Sequence, residues 1–118
     1  MRILFLGDVV GRSGRQAIEE HLPGLRQSLK LDSVIINAEN AASGFGLTEK
    51  IANQLFEAGA DVLSGGNHSF DQRDITTALD KDPRLLRPAN YPDGTPGRGF
   101  CVVEAGRGRK ILVINVMG

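Results

Sequence analysis

The sequence predicts an α/β fold, a parallel βαβαβα sheet followed by an antiparallel hairpin, and three observations carry that prediction. Short, continuously apolar runs alternate with segments of helical spacing, the pattern of parallel strands joined by crossover helices and covered on both faces. Each of the first three apolar runs leads directly into a polar or glycine-bearing turn, namely Gly7-Asp8, Asn37-Ala38-Glu39-Asn40 and Gly65-Gly66-Asn67-His68. Two further runs flank a Gly-rich stretch, as a hairpin requires.

The elements follow in order. Ile3-Leu4-Phe5-Leu6 reads as the first strand, and Gln16 to Leu22 has helical apolar spacing. Pro23-Gly24 interrupts that helix or starts a second one, with the pattern resuming through Leu25 and Leu29. Val34-Ile35-Ile36 is the second strand. Thr48 and Glu49 introduce a helix carrying Ile51, Ala52, Leu55 and Phe56, which Gly59 ends as a C-terminal cap. Asp61-Val62-Leu63 is the third strand, and Asp71 to Leu79 is predicted helical, with Ile75, Ala78 and Leu79 on one side. Arg87 to Gly97 is a Pro/Gly-rich surface connection, and Gly99 to Glu104 pairs with Lys110 to Val116 across the turn Ala105 to Arg109.

Bulk properties set the frame. At 118 residues and 41% hydrophobic content the chain fits one domain, residues 1–118. Because the apolar run from Ile111 to Val116 stops where earlier strands lead into functional loops, this is read as the N-terminal portion of a longer domain. Fourteen basic residues balance fourteen acidic ones, which argues against bulk nucleic-acid binding or a membrane-surface role. The single Cys101 excludes a disulfide framework and a Cys-based zinc site within the chain. Met1 to Leu6 is too short for a signal-peptide core and no segment approaches a membrane span, so a cytoplasmic location is expected.

In an open parallel sheet, ligands bind at the carboxyl ends of the strands, so three strand ends carrying oxygen ligands imply one shared site with a metal ion as its natural guest. Asp8 either binds a hard cation or shapes its turn. Gly7, Gly11 and Gly14 match no nucleotide-binding loop. Glu39 is not a favoured turn residue and sits beside Asn40 after a buried strand, where a carboxylate can bridge two ions. Asn37 and Asn40 hold the loop by hydrogen bonds, or Asn40 ligates through its carbonyl oxygen. Asn67 and His68 follow two glycines that permit close approach, and His68 is suited to donate a proton to a leaving oxygen. His21 lies on a helix surface. Asp71 caps the helix expected there or orients His68, the cap being preferred. Asn90 and Tyr91 contact a substrate or serve their turn, and Ala41 to Gly46 is a flexible connection or a close-fitting loop beside the site.

Gly7-Asp8, the acidic strand end at Glu39 and Gly66-Asn67-His68 resemble, in that order, the calcineurin-like metallophosphoesterases. More narrowly, Gly7-Asp8-Val9-Val10-Gly11-Arg12, Asn37 to Ala42 with Gly44-Phe45-Gly46, Gly66 to Asp71 and Leu86 to Pro92 resemble the YmdB-type branch, across essentially the whole chain. The resemblance implies the first half of a metallophosphoesterase α/β sandwich and a phosphodiesterase using two divalent metal ions, with 2',3'-cyclic nucleotides as the substrate class. It assigns Asp8 to one ion, Glu39 to the bridge, Asn40 as an additional ligand, Asn67 to the other ion, and His68 to catalysis. Two cations in such a site stabilise both the attacking and the leaving oxygen of an in-line displacement. The chain departs from the superfamily in having Val10 where a His is usual, which makes Asn40 the replacement, and it has no match to the His ligands of the family's second half, so weak metal binding and little turnover are expected of these 118 residues alone. Oxygen ligands alone favour Mg or Mn, while imidazoles would admit Fe or Zn.

A small nucleotide or phosphodiester is therefore the expected partner, and a homo-oligomer is compatible with it. The rival readings are a nucleotide- or phosphate-binding regulatory module without hydrolysis and, last, a structural protein whose polar strand ends are all turns and caps.

Overall fold

The computed structural model describes residues 1–118. The chain runs β1 (Ile3–Leu6), α1 (Gly11–Ser28), β2 (Ser33–Asn37), α2 (Glu49–Ala58), β3 (Val62–Ser64), α3 (Ile75–Lys81), β4 (Leu85–Leu86), β5 (Phe100–Glu104) and β6 (Lys110–Ile114). The first four strands form a parallel sheet in the order β1-β2-β3-β4, and β5 and β6 form a separate antiparallel pair. No helix is long and apolar enough to cross a membrane.

Strand order decides which faces are covered. Each crossover moves the chain one strand in the same direction, and right-handed connections then stack all helices on one face. The main core agrees, since Ile18 and Leu22 of α1, Ala52 and Leu55 of α2 and Ile75, Ala78 and Leu79 of α3 pack with Val34, Ile36, Leu63 and Leu85. Both faces are covered, as expected, but the helices take only one of them. The opposite face, carrying Ile35, Val62 and Leu86, is covered instead by Cys101, Ala105, Ile111 and Val113 of the hairpin. That cover is incomplete: Phe5, in register with Ile35 and so on the same face, is 60% exposed.

Local chemistry explains most boundaries. Thr48 caps α2 by accepting from Ile51 N–H at 3.2 Å, and Gly59 closes it at φ 119°, as its sequence predicts. Pro23 does not divide α1, which runs on through it for 18 residues with Leu22 fully buried beside it. Asp61 stands just before β3 rather than in it, because its carboxylate accepts from Arg26 at 2.7 and 3.2 Å and from Val34 N–H at 2.7 Å, tying α1 to β2. The two-residue β4 is too short to announce itself in sequence, yet it completes the sheet and, through a bridge from Leu86 to Arg98, anchors the hairpin's approach.

The third helix starts at Ile75, four residues later than predicted, and its N-cap position is Asp74. Asp71 therefore caps no helix. Residues 67–74 form successive turns whose side chains are held by tertiary partners, including Asp74, which accepts from Glu49 N–H at 3.3 Å.

Candidate active site

The three strand ends lie at one edge of the parallel sheet, and their polar side chains form two groups. In the first, Asn40 Nδ2 donates to Asp8 Oδ1 at 2.7 Å. The backbone reinforces the pairing, with Val9 N–H donating to Asn37 O at 3.1 Å and Gly11 N–H to Asn40 O at 3.0 Å. Asp8 holds φ 50°, the left-handed region that Asp tolerates better than most side chains. Asn40 Oδ1 is buried without a hydrogen-bond partner.

In the second group Glu39 lies half-buried over the Gly65-Gly66 turn. A Cβ at Gly66 would fall on the Glu39 carboxylate, and one at Gly65 on Ser69 Oγ, so glycine is what lets backbone and carboxylate meet. Long contacts of 3.5 Å reach Glu39 from Asn37 Nδ2 and from His68 N–H. Asn37 Nδ2 also donates to Gly65 O at 3.3 Å, leaving Asn37 Oδ1 buried and unpaired. Glu39, Asn37 and Asn67 line one cleft of about 680 Å³, whose far wall is the strip from Ile111 to Gly118. Asp8 and Asn40 are outside that lining, and Asn67, which is exposed, shares the cleft with Glu39 without a hydrogen bond to it.

His68 follows with its Nδ1 2.6 Å from Asp71 Oδ2 and its ring edge-on to Phe45, centroids 5.4 Å apart. The loop from Ala41 to Gly46 is close-fitting: Ala42 N–H donates to Gly46 O at 2.9 Å, Gly46 N–H to Glu39 O at 2.6 Å, and Gln72 Nε2 to Phe45 O at 2.7 Å. Asn90 and Tyr91 make structural contacts. Asn90 exchanges two hydrogen bonds with the Met117 backbone, at 2.5 and 3.0 Å, and Tyr91 OH donates to Gly66 O at 3.2 Å while stacking on Phe70. His21 is exposed on α1, as expected.

Two contributors were missed in sequence. Ser69 Oγ accepts from Gly66 N–H at 2.9 Å and donates to Gly66 O at 2.8 Å, and Asn115 Nδ2 donates to Gly65 O at 3.1 Å. Asn115 gave a signal, since it too directly follows an apolar run.

The donor set is all oxygen. No group of three or more His, Cys, Asp or Glu is placed to hold a metal, because Asp8 and Glu39 are the carboxylates here and the remaining donors are amides. Asn40 Oδ1 lacks a partner, but the Nδ2 end of that amide meets Asp8, so a cation shared by the two residues requires the amide to be turned over. Leaving such an acceptor unsatisfied costs about 1–3 kcal/mol, which a cation or an ordered water would offset.

Comparison with known proteins shows the family. The family described as YmdB-like protein matches residues 4–118. The chain is similar to the 2',3'-cyclic-nucleotide 2'-phosphodiesterase of Bacillus subtilis, 50% identical over 118 residues that cover 100% of this chain and 44% of that protein. It superposes on the crystal structure of a hypothetical protein from Thermus thermophilus with TM-score 0.92 and 46% identity, covering 100% of this chain and 45% of that one. A novel phosphatase from Mycoplasma pneumoniae gives TM-score 0.88 and 36% identity, with 98% and 42% coverage. The chain thus spans less than half the length of the relatives it matches.

Proposed function

The chain belongs to the YmdB-like family, and from that premise we propose that it carries the first part of a metal-dependent phosphodiesterase acting on 2',3'-cyclic nucleotides. The observation that carries this reading is that Asn40, whose Oδ1 is buried and unpaired, is hydrogen-bonded to Asp8 while its neighbour Glu39 lies against Gly66. Such an arrangement suits a charge that the chain does not itself provide.

Asp8, Asn40, Glu39 and Asn67 would hold two divalent ions, which when bound supply Lewis-acid polarisation of the phosphoryl oxygens. The protein's own residues do the rest. Gly66 lets the backbone meet the Glu39 carboxylate, and the substrate would lie between Glu39 and Asn67, at the rim of the cleft nearest His68. His68 gives a proton to the departing sugar oxygen. Oxygen ligands favour Mg or Mn, and imidazoles from elsewhere would be needed to select Fe or Zn.

The 118 residues form the opening part of a larger domain in this reading, supported by their 44% coverage of the Bacillus subtilis relative.

Replacing Glu39 by Gln tests the proposal. Loss of both bound metal and turnover of a 2',3'-cyclic nucleotide is expected, measured by elemental analysis and product release. Undiminished nucleotide binding by a metal-free protein would establish the non-hydrolytic module instead.

A further inference from the structure

Asp71 has the sequence position of a helix cap, but α3 begins at Ile75 and leaves its carboxylate free for another partner. That partner is His68. Asp71 N–H donates to His68 O at 3.2 Å, closing a turn that brings Asp71 Oδ2 to 2.6 Å from His68 Nδ1. The segment is pinned from beneath by Ser69, which both accepts from and donates to Gly66.

A second set of contacts fixes the ring from the side. Gly46, at φ 78°, lies so close to the turn that a Cβ would press on His68 O, Asp71 Cβ and Gln72 Cγ. The tight approach lets Gln72 hold the Phe45 carbonyl at 2.7 Å and sets the Phe45 ring at 86° to the imidazole. His68 is therefore bounded by a carboxylate on Nδ1 and an aromatic ring on its flank.

An ionised carboxylate only accepts, so the nitrogen facing it carries the hydrogen. We propose that Asp71 is a positioning residue that holds His68 in the Nδ1–H form and leaves Nε2 as the atom that exchanges a proton with the leaving oxygen, with Phe45 as the side wall. This inference rests on His68 acting as the acid in the reaction proposed above. In that step the ring starts as the imidazolium, water forms the new P–O bond and gives up one proton to solvent, and the old P–O bond breaks with its electron pair on the sugar oxygen. That oxygen takes the proton from Nε2. The ring ends neutral, its Nδ1–H still on Asp71.

The test joins spectroscopy with kinetics in the intact protein. Long-range ¹H–¹⁵N correlations of the neutral His68 ring should show the Nδ1–H tautomer, and Asp71→Ala should move it toward Nε2–H while Asp71→Glu keeps it. In the metal-loaded enzyme Asp71→Ala should lower kcat on a 2',3'-cyclic nucleotide by about tenfold to a hundredfold with little change in KM. The same variant should lose far less on bis-p-nitrophenyl phosphate, whose leaving group needs no proton, and Asp71→Glu should recover part of the loss. An Nε2–H tautomer in the unaltered protein, or equal losses on both substrates, overturns the inference. Expected tautomers in a protein that cleaves no phosphodiester would uphold the positioning of His68 and end the proposed function alone.

Discussion

Asn40 Nδ2 stands 2.7 Å from Asp8 Oδ1 across 32 residues of sequence, fastening the turn after β1 to the turn after β2. The other end of the same amide, Oδ1, is buried and has no partner. A cation shared with Asp8 would use it by turning the amide over, so that Nδ2 gives up Asp8. Replacing Asn40 by Ala is therefore expected to weaken Mn²⁺ binding about tenfold, equivalent to about 1.4 kcal/mol, by titration calorimetry. Asn40→Asp, which keeps an oxygen in place, should bind at least as well as the original; unaltered affinity in Asn40→Ala would remove Asn40 from the site.

Gly66 and Gly24 make a contrasting pair. A methyl at Gly66 would overlap the Glu39 carboxylate, whereas one at Gly24, inside α1, meets nothing within 4 Å. Gly66→Ala should destabilise by about 1–3 kcal/mol in urea and abolish metal binding, because Glu39 must move. Gly24→Ala should stabilise by about 0.5–1 kcal/mol, since Ala loses less backbone freedom in a helix. Equal midpoints for the two variants would refute the packing argument.

Acid sensitivity should trace to two carboxylates remote from the site. Asp32 is held below its usual 3.8 chiefly by the Arg2 N–H at 2.6 Å, helped by Arg109, and Asp82 is lowered by its hydrogen bonds with Arg84. Depressed carboxylates stabilise the fold fully above the unfolded value near 3.8, and that contribution declines as pH falls and disappears once the folded carboxylates protonate. Melting temperature should drop less steeply on acidification in an Asp32→Asn, Asp82→Asn variant, which starts from a lower value at neutral pH. Parallel curves would show that neither group is responsible.

The hairpin's outer face is apolar. Phe100 pairs with Ile114 and Val102 with Leu112, and all four are between 57% and 59% exposed. Patches of this kind bind hydrophobic dyes and favour association. Val102→Thr together with Leu112→Thr should reduce anilinonaphthalene sulfonate fluorescence and leave the melting temperature nearly unchanged, because neither side chain is in a core. A large fall in melting temperature would mean the face is packed in solution.

Local chemistry made much of the molecule legible. β1 was read at its observed bounds, and α2 carried both its start and stop signals in Thr48 and Gly59, because a cap acts within one turn of its own residue. The candidate residues were legible for a similar reason: a polar side chain directly after a buried strand stands out against the apolar run. Asp71 was not. Its choice between capping a helix and meeting His68 depends on how residues 67–74 turn, and Gly46 and Gln72 contribute to that from outside the segment. Two-residue β4 escaped notice because its partner, β3, rather than its own sequence, makes it a strand.

The sequence by itself determined the α/β alternation, the three polar strand ends and the kind of donors they present, since these depend on residue type and short-range spacing. Only the tertiary structure decided that all three helices share one face, that Asn40 joins Asp8 while Glu39 joins Gly66, and that Asp71 serves His68. Those outcomes follow from strand order and from contacts between residues far apart in the chain, which no local pattern specifies.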